Sequence, residues 1–336
     1  MEAKLSGPID PAEGGRVFFK QKGSKSNMVK SMFAAIAGLK THQSKMDVIS
    51  NNIANVNTWG YKTRSANFAD AMYQNSIQGQ GGNNAAGGIG GMNTSQVGFG
   101  VNMGSISTDF TTGSWSPTGN GLHCMINGPS FFIVGPMQQG GAGVQPTGLK
   151  ESGLSLSRVG IFSVDNNGYL VDDQGNYVYG YRSTDPTANP QNVQQELRPI
   201  RVPTAAAGHQ ITDGDEARLK LQSYTIGQDG TIVGVDEAGT PYTLGKIAVA
   251  SVENPNGLEQ SQGYLYDIGA NAGTVVAVQA GNDAVGKVLS GYLEMANVDL
   301  ASEIASMITT QRGYQANSKI ITVTDEMLEQ LVNMKR

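Results

Sequence analysis

The feature that most constrains this chain is a pair of long heptad-like seams, one at each end. From Met28 to Asn57, the residues Met32, Ile36, Leu39, Met46, Ile49, Ile53 and Val56 follow one another at steps of three, four and seven, with no proline among them. That spacing predicts an amphipathic helix, stopped by Asn57 and Gly60. Near the other end Leu300, Ile304, Met307, Tyr314, Ile321, Leu328 and Val332 repeat with the same period. A helix of about 35 residues spans roughly 50 Å, longer than a small domain uses. Two such helices must bury their seams against each other or against copies of themselves. A helical hairpin lying on one domain would do this within a chain, and an oligomer or filament would do it between chains.

Between the seams the pattern changes to period two, punctuated by tight turns. Phe162-Ser163-Val164 and Tyr169-Leu170-Val171 flank Asp165-Asn166-Asn167-Gly168, and Asn-Gly signals a hairpin because both turn positions take positive φ. Gln174-Gly175-Asn176 and Asp229-Gly230 mark two further turns. Residues 105–183 and 223–292 therefore read as a β-rich domain, and 184–222, with four prolines and no clear period, as a short insert. Charge is scarce at the front of this body. From Ser65 to Glu151 only Asp70, Asp109, Lys150 and Glu151 are charged, and Gly79 to Gly104 holds ten glycines. The stretch 61–104 is accordingly expected to be a Gly/Asn-rich connecting loop. The whole reads as α+β: a helical element from 28–60 and 293–336, expected to pair as a coiled coil, around a mainly β body.

Composition excludes several functions. One cysteine rules out an internal disulfide framework and a cysteine metal cluster, and His42, His123 and His209 leave little for an imidazole site. A net charge of −5 argues against nucleic acid, and no apolar stretch approaches the ~18 residues of a membrane span. His123 and Cys124 are sequence neighbours and point apart, so Cys124 reads as a buried strand residue rather than a nucleophile. Asp172-Asp173 and Asp213, Asp215 and Glu216 are the dense carboxylates, and they read as solvated turn residues without calcium-loop spacing. Gly87 to Gly91 lacks the strand-to-helix setting of a phosphate loop. No catalytic, cofactor-binding or metal-ligating residue is assigned. A secreted β protein acting on polysaccharide is the competing class, and those carboxylates are its support.

The two ends carry more specific motifs. Residues 39–62, centred on Asp47-Val-Ile-Ser-Asn-Asn-Ile-Ala-Asn55 and ending in Trp59-Gly-Tyr-Lys62, resemble the N-terminal signature of bacterial flagellar rod and hook proteins. Ser290-Gly-Tyr-Leu-Glu-Met-Ala-Asn-Val-Asp-Leu300, Gln311-Arg-Gly-Tyr-Gln-Ala-Asn-Ser318 and Asp325-Glu-Met-Leu328 resemble the matching C-terminal signature. Ala66 to Met72, the region from Ser223 through Leu244 to Leu258, and the ending Glu329 to Arg336 are most similar to hook members, and a length beyond what a rod protein needs is expected to agree, with distal rod members as the alternative. Residues 1–27 precede the usual start of the family, and 184–222 stands where many hook proteins insert an outer domain.

The resemblance implies a structural, non-enzymatic subunit that polymerises into a helical tube. The tube would be a curved hook passing torque from rod to filament, or a straight rod in the alternative. Its implied partners are copies of itself, the rod, hook-cap and hook–filament junction proteins, and the flagellar type III export apparatus. Export would proceed without a cleaved leader to the extracellular hook and basal body. The implied subunit contacts are Met32, Ile36, Leu39, Met46, Ile49 and Ile53 against Leu300, Ile304, Met307, Ile321, Leu328 and Val332. Asn52, Asn55, Gln311, Tyr314 and Asn317 are expected at the same surfaces, and Phe68 with Met72 resembles a short export motif.

Overall fold

Both end seams fold as helices, α1 (Ser24–Ala54) and α2 (Leu300–Asn333), in a computed structural model that describes residues 24–82, 90–138, 143–183, 193–202, 221–236, 238–281 and 285–334. Residues 1–23 of the N-terminal extension lie outside the described residues, and 24–27 already belong to α1. At the end of α1, Gly60 adopts φ +66°. At the start of α2, the Asp299 carboxylate accepts the Ala301 N–H at 3.0 Å, satisfying one of the free donors of the first turn. Among the described residues no helix is long and apolar enough to cross a membrane.

Four strands follow α1. β1 (Arg64–Asp70) pairs with β4 (Val101–Thr108), and β2 (Tyr73–Ile77) pairs with β3 (Ser95–Gly98) in an antiparallel hairpin. The expected loop 61–104 thus contains four strands or parts of strands. Its glycines dominate the composition, but backbone pairing needs no charge, and Tyr73, Ile77 and Val97 supply β-forming side chains.

The remaining strands build the body. They are β5 (Trp115–Pro117), β6 (Cys124–Asn127), β7 (Phe131–Gly135), β8 (Ser155–Ser157), β9 (Phe162–Val164), β10 (Leu170–Asp172), β11 (Tyr177–Ser183) and β12 (Val193–Pro199), then β13 (Leu221–Ile226), β14 (Thr231–Asp236), β15 (Pro241–Val252), β16 (Glu259–Gln260), β17 (Leu265–Asp267), β18 (Val275–Gln279), β19 (Lys287–Ser290) and β20 (Tyr292–Glu294). One sheet runs in the order β13-β14-β15-β11-β7-β8-β17-β16, and β9, β10, β12 and β18 join it from the side. β6 pairs with β19, and β5 with β20. The three predicted turns are present, with Gly168, Gly175 and Gly230 at φ +79°, +82° and +74°, but Asn167 is not at positive φ, so the Asn-Gly turn places only its glycine in the left-handed region. Part of the supposed insert belongs to the body, since β12 lies antiparallel to β11 with Arg198 opposite Gly180.

Strand β7 departs from the expected period of two, because both of its faces are covered. Phe132 and Val134 enter one core with Phe162, Leu170, Val178, Ile247 and Val249, while Phe131 and Ile133 enter a second with Leu156, Tyr179, Leu197, Ala248 and Ala250. Both faces are covered, so every side chain of Phe131–Val134 is fully buried.

The described residues divide into two units. One comprises 24–42, 69–102 and 312–334; the other comprises 43–68 and 103–311 and holds the β body.

Candidate functional site

In the first unit the two helices meet through reciprocal glycines. A Cβ on Gly38 would lie 2.6 Å from Nδ2 of Asn317, and one on Gly313 would lie 2.7 Å from Cε1 of His42. Gly38 and His42 are one turn apart, as are Gly313 and Asn317, so the crossing is antiparallel, each glycine receiving the larger side chain of the other helix. Only a residue without Cβ allows so close an approach. Beside the crossing, Ala35 and Thr41 are buried, and the Thr41 hydroxyl donates to Ala37 O at 2.8 Å.

Within the single chain the predicted seams are unevenly buried. On α1, Ile49 is buried, Met32, Leu39, Met46 and Ile53 are half-buried, and Ile36 is exposed. On α2, Met307, Asn317, Ile321 and Leu328 are half-buried, whereas Leu300, Ile304, Gln311, Tyr314 and Val332 are exposed. The least exposed stripe of α2 runs through Thr310, Gly313, Asn317 and Thr324 and takes in the predicted Ile321 and Leu328 between and after them. Its small and polar members were readable in the sequence, but apolar periodicity passes over them. Other large apolar side chains stand outward. Leu300, Ile304 and Ile308 form one run at four-residue spacing, and Ile320, Val323, Met327 and Leu331 continue at steps of three and four. Phe68, under the Lys45 ammonium at 5.2 Å, and Met72 are both exposed rather than core.

In the second unit the roots of the two helices are joined by residues that periodicity could not reveal. Asn52, placed by the resemblance at a subunit surface, is buried and bonds within the chain. Its Oδ1 accepts the Arg64 N–H at 3.1 Å and the Tyr61 hydroxyl at 3.0 Å, and its Nδ2 donates to Arg64 O at 2.8 Å. The side chain imitates a neighbouring strand and splices the helix to β1. Asn55 likewise donates to Asn51 O and accepts from the Thr58 hydroxyl.

Beyond this splice, three charged side chains share one buried site. Glu294 Oε1 accepts from Lys62 Nζ at 2.7 Å and from the Gly113 N–H at 2.9 Å, and its Oε2 faces Arg158 Nη1 at 3.5 Å. All three side chains are 1% exposed. Lys62 Nζ also donates to Thr111 O at 2.7 Å, and the Arg158 guanidinium lies 4.9 Å from the centre of the Phe131 ring. Burial, then the neighbouring Arg158 charge, pull the Lys62 ammonium below its ordinary range against the opposing pull of Glu294. Four more links bind the same strands of chain. Gly60 N–H donates to Glu294 O, Thr63 N–H and its hydroxyl donate to Asn297 Oδ1 at 2.7 and 2.8 Å, and Asn297 Nδ2 donates to Asp109 O.

The other sequence candidates resolve separately. Cys124 is fully buried in β6, and burial pushes its thiol up to about 12. The His123 ring bonds the Thr118 hydroxyl instead of the thiol. Asp172, expected to be a solvated turn residue, is buried: it accepts the Tyr264 hydroxyl at 2.7 Å and the Gln174 N–H, which closes the β10–β11 turn around it. Asp213, Asp215, Glu216 and His209 lie outside the described residues.

Comparison with known proteins places these elements. A family model described as flagella basal body rod protein matches residues 32–62, and one described as flagellar basal body rod FlgEFG protein C-terminal matches 289–334. The flagellar basal-body rod protein FlgG of Bacillus subtilis is 36% identical over 310 residues, covering 92% of this chain and 100% of that protein. The FlgG of Caulobacter vibrioides is 30% identical over 302 residues, covering 90% and 97%. The flagellar hook protein FlgE of Borreliella burgdorferi is 28% identical over 459 aligned positions, covering 92% of this chain and 100% of that protein. Matched at both helical ends and along nearly its whole length, the chain belongs to the flagellar basal-body rod and hook protein family.

Proposed function

We propose that this chain is a distal rod subunit, polymerising into a straight, stiff tube, rather than the hook subunit that the motifs after the first helix suggest. The observation that carries this reading is length. Rod proteins align with the chain from end to end over about its own size, whereas the hook relative needs 459 positions to cover the same 92%, so it carries long segments without a counterpart here. In this reading the outward runs Leu300–Ile304–Ile308 and Ile320–Val323–Met327–Leu331 are the surfaces that copies bury against one another, and the coiled-coil pairing of the seams forms between subunits. Head-to-tail contacts that do not close give a helical polymer. Neighbouring rod and hook components are its partners, the flagellar export apparatus delivers it, and its role is mechanical rather than enzymatic.

The test is complementation in two strains, one lacking its own distal rod protein and one lacking its own hook protein, read by electron microscopy of isolated basal bodies. Straight rods that go on to carry hooks in the first strain, with no hooks in the second, are the expected result. Curved tubes restored in the hook-deficient strain would return the assignment to the hook.

A further inference from the structure

The buried site at the helix roots holds two cations and one anion in direct contact, with the Asp109 carboxylate adding a weaker pull on Lys62. We infer that the site makes docking of the N-terminal segment conditional on the C-terminal segment, so that the root of the first helix does not seat on the β body until the approach to the second helix is present. Lys62 comes from the segment after α1, Arg158 from the body next to β8, and Glu294 from β20, just before α2. Lys62 and Glu294 are 232 residues apart in sequence. Among the described residues, Glu294 is the anion bonded to Lys62 and facing Arg158.

Remove Glu294 and the site is left with two like charges shut away from water, which is strongly unfavourable. If the whole C-terminal segment is absent, Gly60 and Thr63 also lose the acceptors that the Glu294 main-chain oxygen and the Asn297 side chain supply. Remove Lys62 instead, and Arg158 with Glu294 remain a neutral pair. The dependence is therefore asymmetric: the N-terminal segment needs the C-terminal one more than the reverse. Any process that presents the chain from its N-terminus supplies Lys62 and Arg158 first and Glu294 last. The site thus delays seating of the first helix until the body and the approach to the second helix have both emerged, and a chain truncated before Glu294 keeps its N-terminal segment loose.

Hydrogen exchange by mass spectrometry on the full chain tests this, comparing peptides over 60–63 and 292–297. Glu294→Gln is expected to speed exchange in both segments by at least about a hundredfold. Lys62→Met alone is expected to leave 292–297 as protected as in the parent. The double substitution Lys62→Met with Glu294→Gln is expected to recover about tenfold of the lost protection in 60–63, because the repulsion is gone. Unchanged exchange of 60–63 in Glu294→Gln would overturn the inference, as would additive losses in the double variant. Should Glu294→Gln not fold, Lys62→Met decides alone: loss of protection in 292–297 refutes the charge argument, and retention supports it.

Discussion

The outward apolar run on α2 makes a quantitative claim about assembly. Leu300, Ile304 and Ile308 are 41%, 48% and 53% exposed in the single chain. Full burial of such a side chain is worth roughly 1.5–3 kcal/mol, so about half of that remains to be gained at each position in a polymer. Replacing all three with alanine, which keeps part of the contact and is the best helix former, removes about 2–3 kcal/mol per subunit addition without weakening the helix. That corresponds to a rise of about 30–150-fold in critical concentration. The assay is pelleting of polymer across a concentration series, with thermal unfolding of the unassembled chain measured alongside. The triple variant should unfold within a few degrees of the parent yet polymerise only at far higher concentration. Gln315→Ala, an exposed change on the same helix that loses only a contact with Arg312, should leave the critical concentration unchanged. If the triple variant assembles at the parental concentration, these side chains do not meet neighbouring subunits, and the placement of the polymer contact is wrong.

Two further predictions concern the fold. The Cys124 thiol and Tyr181 phenol, with ordinary values of 9.0 and 10.0, are each pushed up to about 12 by burial. A raised folded value means the native chain holds protons that the unfolded chain releases, so stability is intact below pH 9 and falls between pH 9 and 12, by roughly 2 kcal/mol from Cys124 alone by pH 10.5. Denaturant unfolding at stepped pH should show this decline, and Cys124→Ala should flatten its first part; an unaltered slope would exclude the thiol as its source. Asn52→Ala strips partners from the Arg64 amide and carbonyl and from the Tyr61 hydroxyl, at a cost of about 2–4 kcal/mol. A matching fall in unfolding free energy is the expected result, and a loss under ~0.5 kcal/mol would show the splice to be dispensable.

Local features were the most legible. Helices show in the spacing of residues three and four apart, and hairpins in glycines such as Gly168, Gly175 and Gly230, because both depend on the chain within a few residues of itself. The doubly buried β7 was passed over by a reading based on period two, and the strands of 61–104 were hidden because pairing is a backbone property and the segment is rich in glycine. The signature asparagines were easy to find, but not their partners within the chain: Asn52 looks the same in sequence whether it bonds to another subunit or to Arg64 twelve residues on.

What the sequence alone determined is therefore the order of elements, the two long helices, the turns of the β body and, through the end motifs, the family. Tertiary structure decided which helix face turns inward, because a face is chosen by what lies opposite it: small Gly38 and Gly313 admit Asn317 and His42, and the larger Leu300, Ile304 and Ile308 are left outside. It also decided that Asp172 is buried and that Lys62, Arg158 and Glu294 share one site. Periodicity reports what a residue's own helix or strand does with it, whereas a buried charge is stable only beside partners that come from any distance along the chain, and only the folded backbone brings those partners together.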